Sequence, residues 1–423
     1  MRSISRSTSP VWHPFTQHAV HGEIPAIVKN EGAWLEATDG QRIFDAISSW
    51  WVVTHGHRYP PIMAAIRAQT ERLDQIIFAG FTHPPAEELA RRLVAIAPAE
   101  LEYVFFSDSG STAVEVALKM ALGFWLHSGE PRRHILALEG AYHGDTIGGM
   151  SVGERGVFNA PYEPLLFDVN RLPFPHKGRE QETLGALDQA CRAQAVAALI
   201  VEPLILGAGG MLIYEPAVLS EMARICKSHG VLLIADEVMT GWGRTGTLFA
   251  CEQASVVPDI ACYSKGLTGG SLPLAVTLCG PKIFDAHYSQ DRRKTFFHSS
   301  SYTANPIACA AAIANLKVWQ AEPVRERIAA LAAVHAKALD GFRDDRRFGR
   351  VRQLGTIAAL DLVVSDAGYL AGIGPRLYRH FMDRGFLVRP LGNTIYLMPP
   401  YCSTADEIGA LYRAIAEIDL TRA

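Results

Sequence analysis

Apolar positions follow two rhythms along the chain. Short unbroken runs at residues 103–106, 135–138, 198–201, 231–235 and 260–263 carry no polar alternation, the pattern of strands covered on both faces of a parallel sheet. Between them apolar residues recur at helical spacing, from Pro60 to about Asp74, from Pro85 to Ile96, over residues 112–120, and in an alanine-rich stretch from Ile307 to about Gln320. Strands alternating with helices predict an α/β fold on a mostly parallel, open sheet. Residues 33–45 break the rhythm and predict a hairpin turning at Asp39-Gly40. Open sheets of this kind take ligands beyond the carboxyl ends of their strands. The residues that follow the runs are therefore the candidates for chemistry: Gly110 and Ser111, Tyr142 and His143, Glu202, Asp236 and Lys265.

Composition narrows the field by exclusion. The chain has 423 residues, 49% of them hydrophobic, enough for two or three domains. Forty basic side chains against 43 acidic ones leave a formal charge of −3, which gives no electrostatic case for nucleic acid or an anionic membrane as partner. The seven cysteines are scattered without a C-x-x-C pair and predict reduced core thiols. His55, His57 and His83 have no carboxylate or cysteine completing a ligand spacing, so no metal is assigned. Arg2 and Arg6 are too few for a transit peptide. No apolar run approaches the ~20 residues of a membrane span, and the expectation is a cytoplasmic enzyme.

Asp236 and Lys265 each have an ordinary reading, as a turn former and a solvated charge. Together they suit one chemistry, in which a carboxylate keeps a pyridine nitrogen protonated while an amine condenses with an aldehyde. Between them, residues 241–246 spell G-x-G-x-x-G, but that dinucleotide fingerprint must follow a strand directly and open a helix. Residues 237–240 intervene, and a nicotinamide site is not favoured. The order Asp-Glu, Gly-x-Gly-Arg-x-Gly, Pro-Asp, Ser-Lys-Gly resembles the class III pyridoxal-phosphate-dependent aminotransferases. Within that class the chain is similar to the 7,8-diaminopelargonate synthases of biotin biosynthesis, through W-H-P-F-T-Q, S-S-W-W, Y-H-G-D-T, G-A-G-G-M, F-A-C-E and R-P-L-G-x-x-I-Y-L-M-P-P.

That resemblance implies a fold-type I homodimer using pyridoxal 5'-phosphate. It implies a large domain over residues 59–320 and a smaller α+β domain built from residues 1–58 and 321–423. Lys265, Asp236 and Tyr142 are implied as catalytic residues, with Gly110, Ser111 and His143 holding the cofactor. Ser300 and Ser301 are expected to reach the partner's phosphate, with active sites at the interface. Phe15, Trp50, Trp51, Tyr142, Ser299 and Arg389 are implied as substrate contacts, Arg389 binding a carboxylate through its planar fork. The implied reaction moves an amino group from a small-molecule donor to the ketone of 8-amino-7-oxononanoate. Phe15 stands where members using S-adenosylmethionine commonly have tyrosine, and Ser299 to Ser301 where they have Gly-Pro-Thr, while lysine-using members are closer at both places. S-adenosylmethionine and lysine both stay open as donors, and a broad-specificity ω-aminotransferase is the alternative.

Overall fold

The computed structural model describes residues 9–22, 24–193 and 195–419; Arg2 and Arg6 lie outside them. A seven-stranded sheet runs in the order Tyr103–Ser107, Ala275–Cys279, Ile260–Tyr263, Leu232–Asp236, Val196–Val201, His134–Leu138, Asn170–Leu172. Ala275–Cys279 runs antiparallel to both of its neighbours, against the direction of the other six strands. The apolar runs became strands because both faces are covered: one by a cluster containing Leu136, Leu199, Leu233 and Ala261, the other by one containing Ile135, Ile200, Ile234 and Cys262.

The helix Gly110–His127 covers the second face with Ala113, Val114, Ala117, Leu118 and Ala121, residues at helical spacing. It begins two residues before the expected start at Thr112. Ser109 and Thr112 form a capping box, so Gly110 and Ser111 belong to the first turn rather than to a preceding loop. The helix expected to end near Asp74 stops at Thr70. The hairpin is present, Trp34–Ala37 pairing with Arg42–Asp45 around Asp39-Gly40.

Arg42–Asp45 also pairs in parallel with Phe386–Leu387, so the two ends of the chain share one sheet. A core containing Phe44, Val318, Ile328, Leu360, Phe381 and Ile395 joins them. Five cysteines are buried, Cys191 is half-buried and Cys402 exposed, and all seven are free thiols. Among the described residues, no helix is long and apolar enough to cross a membrane.

Candidate active site

Asp236 is the last residue of its strand and lies in register with Cys262 of the neighbouring strand. Lys265 follows three residues beyond Cys262, so the carboxyl ends of adjacent strands bring acid and amine into one cavity of about 500 Å³. Gly110, Ser111, Tyr142, His143, Trp50, Trp51, Phe15 and Arg389 line the same cavity.

Asp236 is nearly buried. Its Oδ2 meets His143 Nδ1 at 2.7 Å, and its Oδ1 accepts the Val238 N–H at 3.1 Å. Both carboxylate oxygens are thereby tied down. Burial holds the Lys265 amine down at about 8, against the pull of Asp236 and Glu202. Its Nζ lies 4.9 Å from the centre of the Trp51 ring. An amine that sheds its proton so close to neutrality can act as nucleophile and as proton carrier.

Gly110 and Ser111 open the long helix, where N–H groups precede any helical acceptor and the dipole's positive end faces outward. The approach is close: a Cβ on Gly110 would meet Val238 Cγ1 at 2.5 Å. The donor set therefore fits a phosphorylated pyridine. It offers a carboxylate for a ring nitrogen, an amine for an aldehyde, and a helix N-terminus for a phosphate. His143 Nε2, buried without a protein partner among the described residues, is one further polar atom at this site.

Aromatic rings wall the cavity. Phe15 packs edge-on against Trp50 and Phe158, and Phe158 against Tyr369. The Arg389 guanidinium lies 5.3 Å from the Trp50 ring centre and donates from Nη2 to the Phe15 carbonyl at 2.7 Å. Tyr142 is hydrogen-bonded through its side chain to Asp145 and held protonated by burial.

Three further features of the sequence take their places around this site. Glu202 shares the cavity with Asp236 and accepts the N–H groups of Tyr142 at 3.0 Å and Gly207 at 2.9 Å. It lines the cavity, and burial pushes its carboxyl up to about 7. Ser299, Ser300 and Ser301 do not line this cavity in the single chain; they form a loop organised around Thr303. Residues 241–246 open no helix. Their Arg244, fully buried, instead donates to the carbonyls of Val53 at 2.7 Å and Pro399 at 3.2 Å. Arg244, Phe158 and Tyr369 escaped the sequence reading because each works through residues remote in the chain. Arg244 carried one signal, as a charge inside a glycine-rich apolar stretch.

The sheet-end acid and amine define an enzyme of the fold-type I transaminase kind, and residues 16–418 match the Aminotransferase class-III family, to which this chain belongs. It is a pyridoxal-phosphate-dependent aminotransferase. Among relatives, the adenosylmethionine-8-amino-7-oxononanoate aminotransferase of Synechococcus elongatus is 48% identical, covering 96% of this chain and 98% of its own. The protein of that name from Geobacter sulfurreducens is 39% identical over 95% of this chain and 93% of its own. Of solved structures, the adenosylmethionine-8-amino-7-oxononanoate aminotransferase of Methanocaldococcus jannaschii superposes with a TM-score of 0.92 at 34% identity, covering 97% and 98% of the two chains. An amine transaminase from an uncultivated Pseudomonas species, in its PLP-bound form, has a TM-score of 0.91 at 35% identity, with coverage of 97% and 98%.

Proposed function

We propose that this aminotransferase forms 7,8-diaminononanoate from 8-amino-7-oxononanoate, with S-adenosylmethionine or lysine as amino donor, in biotin biosynthesis. The observation that carries the reading is one aromatic-walled cavity lined by Lys265 and by the cationic fork of Arg389. This suits a substrate with a reacting carbonyl at one end and a carboxylate at the other. The names of the relatives support the same keto substrate.

Pyridoxal phosphate, when bound, supplies the aldehyde that carries the amino group and a ring that draws electrons from the neighbouring carbon. Asp236 holds the proton on the ring nitrogen, and His143 fixes the Asp236 carboxylate. Gly110 and Ser111 bind the phosphate through their N–H groups. Lys265 Nζ would hold the aldehyde and would carry the substrate's α-proton. Tyr142 would pack against the ring, and the planar fork of Arg389 would bind the carboxylate. Phe15, Trp50 and Trp51 exclude water along the aliphatic chain.

The chain works as a homodimer, with a small domain built, among the described residues, from the stretches before residue 59 and after residue 320. Ser300 and Ser301 reach the partner's phosphate, and Ser299 its substrate. In support, the serine loop is tied to the segment around Gln75 by a 2.8 Å bond from Gln75 Nε2 to the Ser301 carbonyl. This region leaves Ile77, Phe81, Phe297 and Tyr302 exposed, and such clusters mark association surfaces.

The test is a half-reaction screen of the yellow holoenzyme, followed by absorbance, with S-adenosylmethionine, lysine and simple amines, then 8-amino-7-oxononanoate as acceptor. Bleaching by S-adenosylmethionine or lysine, with colour restored by the keto acid, is the expected result. Bleaching by simple amines alone would replace the biotin-pathway reading with a broad-specificity ω-aminotransferase.

A further inference from the structure

Both tryptophans that wall the cavity hang from a backbone that resists its own shape. Over Ser48–Trp51 the φ angles of Ser48, Ser49 and Trp51 are +54°, +60° and +67°. Ser49, with ψ −54°, stands in the positive-φ γ-turn region, which is rare and strained for a residue with a side chain. None of the three is glycine. Such a conformation persists only where its surroundings over-determine it, and here they converge on a single carboxylate.

Asp45 is fully buried at the end of its strand. Its Oδ1 accepts the Ser49 N–H at 2.8 Å and the Ile47 N–H at 3.4 Å. Its Oδ2 accepts the Ser49 hydroxyl at 2.9 Å and is joined to His57 Nε2 at 2.8 Å. The other ring nitrogen of His57 meets Asn30 Nδ2 at 3.1 Å, which fixes the ring. Asp45 is also in register with Leu387 of the parallel strand, two residues before Arg389. One sheet thus fixes both the carboxylate that shapes the turn and the start of the segment carrying Arg389.

We propose that Asp45, oriented by His57, is a positioning residue for the reaction: it imposes the left-handed turn that sets Trp50 against Arg389 and Trp51 against Lys265. It touches no reacting atom. Trp51 is further fixed by its Nε1–H bond to the Tyr396 hydroxyl at 3.0 Å, whereas Trp50 is 39% exposed and depends more on the turn. The carboxylate-binding end of the site should therefore suffer first when Asp45 is lost.

The inference rests on the reading of Arg389 as the carboxylate clamp. Its test is a double-mutant cycle on the holoenzyme with Asp45→Ala and Trp50→Ala. Asp45→Ala is expected to raise KM for 8-amino-7-oxononanoate about ten- to a hundredfold, the scale of a misplaced binding group, and to lower kcat less. In the Trp50→Ala background the same substitution should change KM about twofold or less, because the interaction it acts through is gone. The near-UV circular dichroism of the tryptophans should change in the apoenzyme while the far-UV spectrum does not. Asp45→Asn, which keeps an acceptor for the Ser49 N–H, should recover part of the loss. Equal KM changes in both backgrounds, or an unchanged tryptophan spectrum, would overturn the proposal.

If Asp45→Ala fails to fold, His57→Phe removes one of the four contacts and is expected to give the same pattern at smaller size. Its absence in a folded His57→Phe protein counts against the proposal equally. Should the wild-type enzyme not use 8-amino-7-oxononanoate, the substrate reading falls. The apoenzyme spectra of the Asp45 variants still decide the positioning role.

Discussion

His143 Nδ1 and Asp236 Oδ2 lie 2.7 Å apart, although 93 residues separate them in the chain. The bond fixes one oxygen of the carboxylate, and the Val238 N–H fixes the other. Asp236 is thereby held in one orientation at the cavity floor.

Asp236→Asn keeps this shape and removes the charge. The expected outcome is a fall in kcat of about 10²-fold or more, the scale of losing a preorganised charge at the reacting centre, with the fold intact by circular dichroism. His143→Ala leaves the charge and loosens it, so a smaller loss is expected. Wild-type kcat in Asp236→Asn at saturating cofactor would remove Asp236 from its role.

Burial depresses the Lys265 amine to about 8, so its neutral, nucleophilic form is populated at lower pH than that of an ordinary lysine. Capture of pyridoxal phosphate by the apoenzyme should accelerate as pH rises toward 8 and level off above it. An unperturbed lysine would keep gaining up to a pH of about 10.4. Stopped-flow absorbance measures the rate. Continued acceleration well above pH 9 would contradict a lowered value. Lys265→Arg, permanently charged, should capture nothing.

Arg389 carries the only role here that depends on substrate charge. Arg389→Met keeps an apolar stem and removes the guanidinium, and KM for the keto acid should rise about 10²-fold with kcat little changed, the signature of lost uniform binding. Arg389→Lys should restore only part, since an ammonium lacks the planar fork. Comparing the acid with its methyl ester is the check: the wild type should discriminate and the Met variant should not.

Gly144 has φ +108°, and a Cβ there would stand 2.1 Å from Ser111 Oγ and 2.9 Å from Ser111 Cα. The nearer atom can rotate away, whereas the backbone of the phosphate-facing turn cannot. Gly144→Ala should lower apoenzyme stability by about 1–3 kcal/mol and weaken pyridoxal phosphate binding as well. Thermal melts and cofactor titration report the two effects separately. An unchanged Kd would free Ser111 from the phosphate site.

Much of this site was legible before any coordinates. The run ending at Asp236 and the run ending before Lys265 announced buried parallel strands, and such strands place their following residues in the ligand crevice. Gly110 and Ser111 were legible for the same reason, although the helix boundary was not, because a capping box extends a helix into what reads as a turn. The Arg389 contact was not legible: its partner carbonyl at Phe15 is 374 residues away. The Asp45 device was also hidden, since neither Ser49 nor Trp51 has the composition of a left-handed turn.

The sequence alone therefore determined five of the seven strands of the main sheet and the acid and amine that follow two of them into one cavity. Side-chain periodicity records local backbone geometry and burial, and those suffice for such elements. Only the tertiary structure decided what surrounds those strand ends: Arg244 bonded to the carbonyls of Trp51, Val53 and Pro399, Asp45 bracing the turn of the tryptophans, and Phe158 and Tyr369 in the cavity wall. Each acts across chain closures whose partners no local pattern encodes.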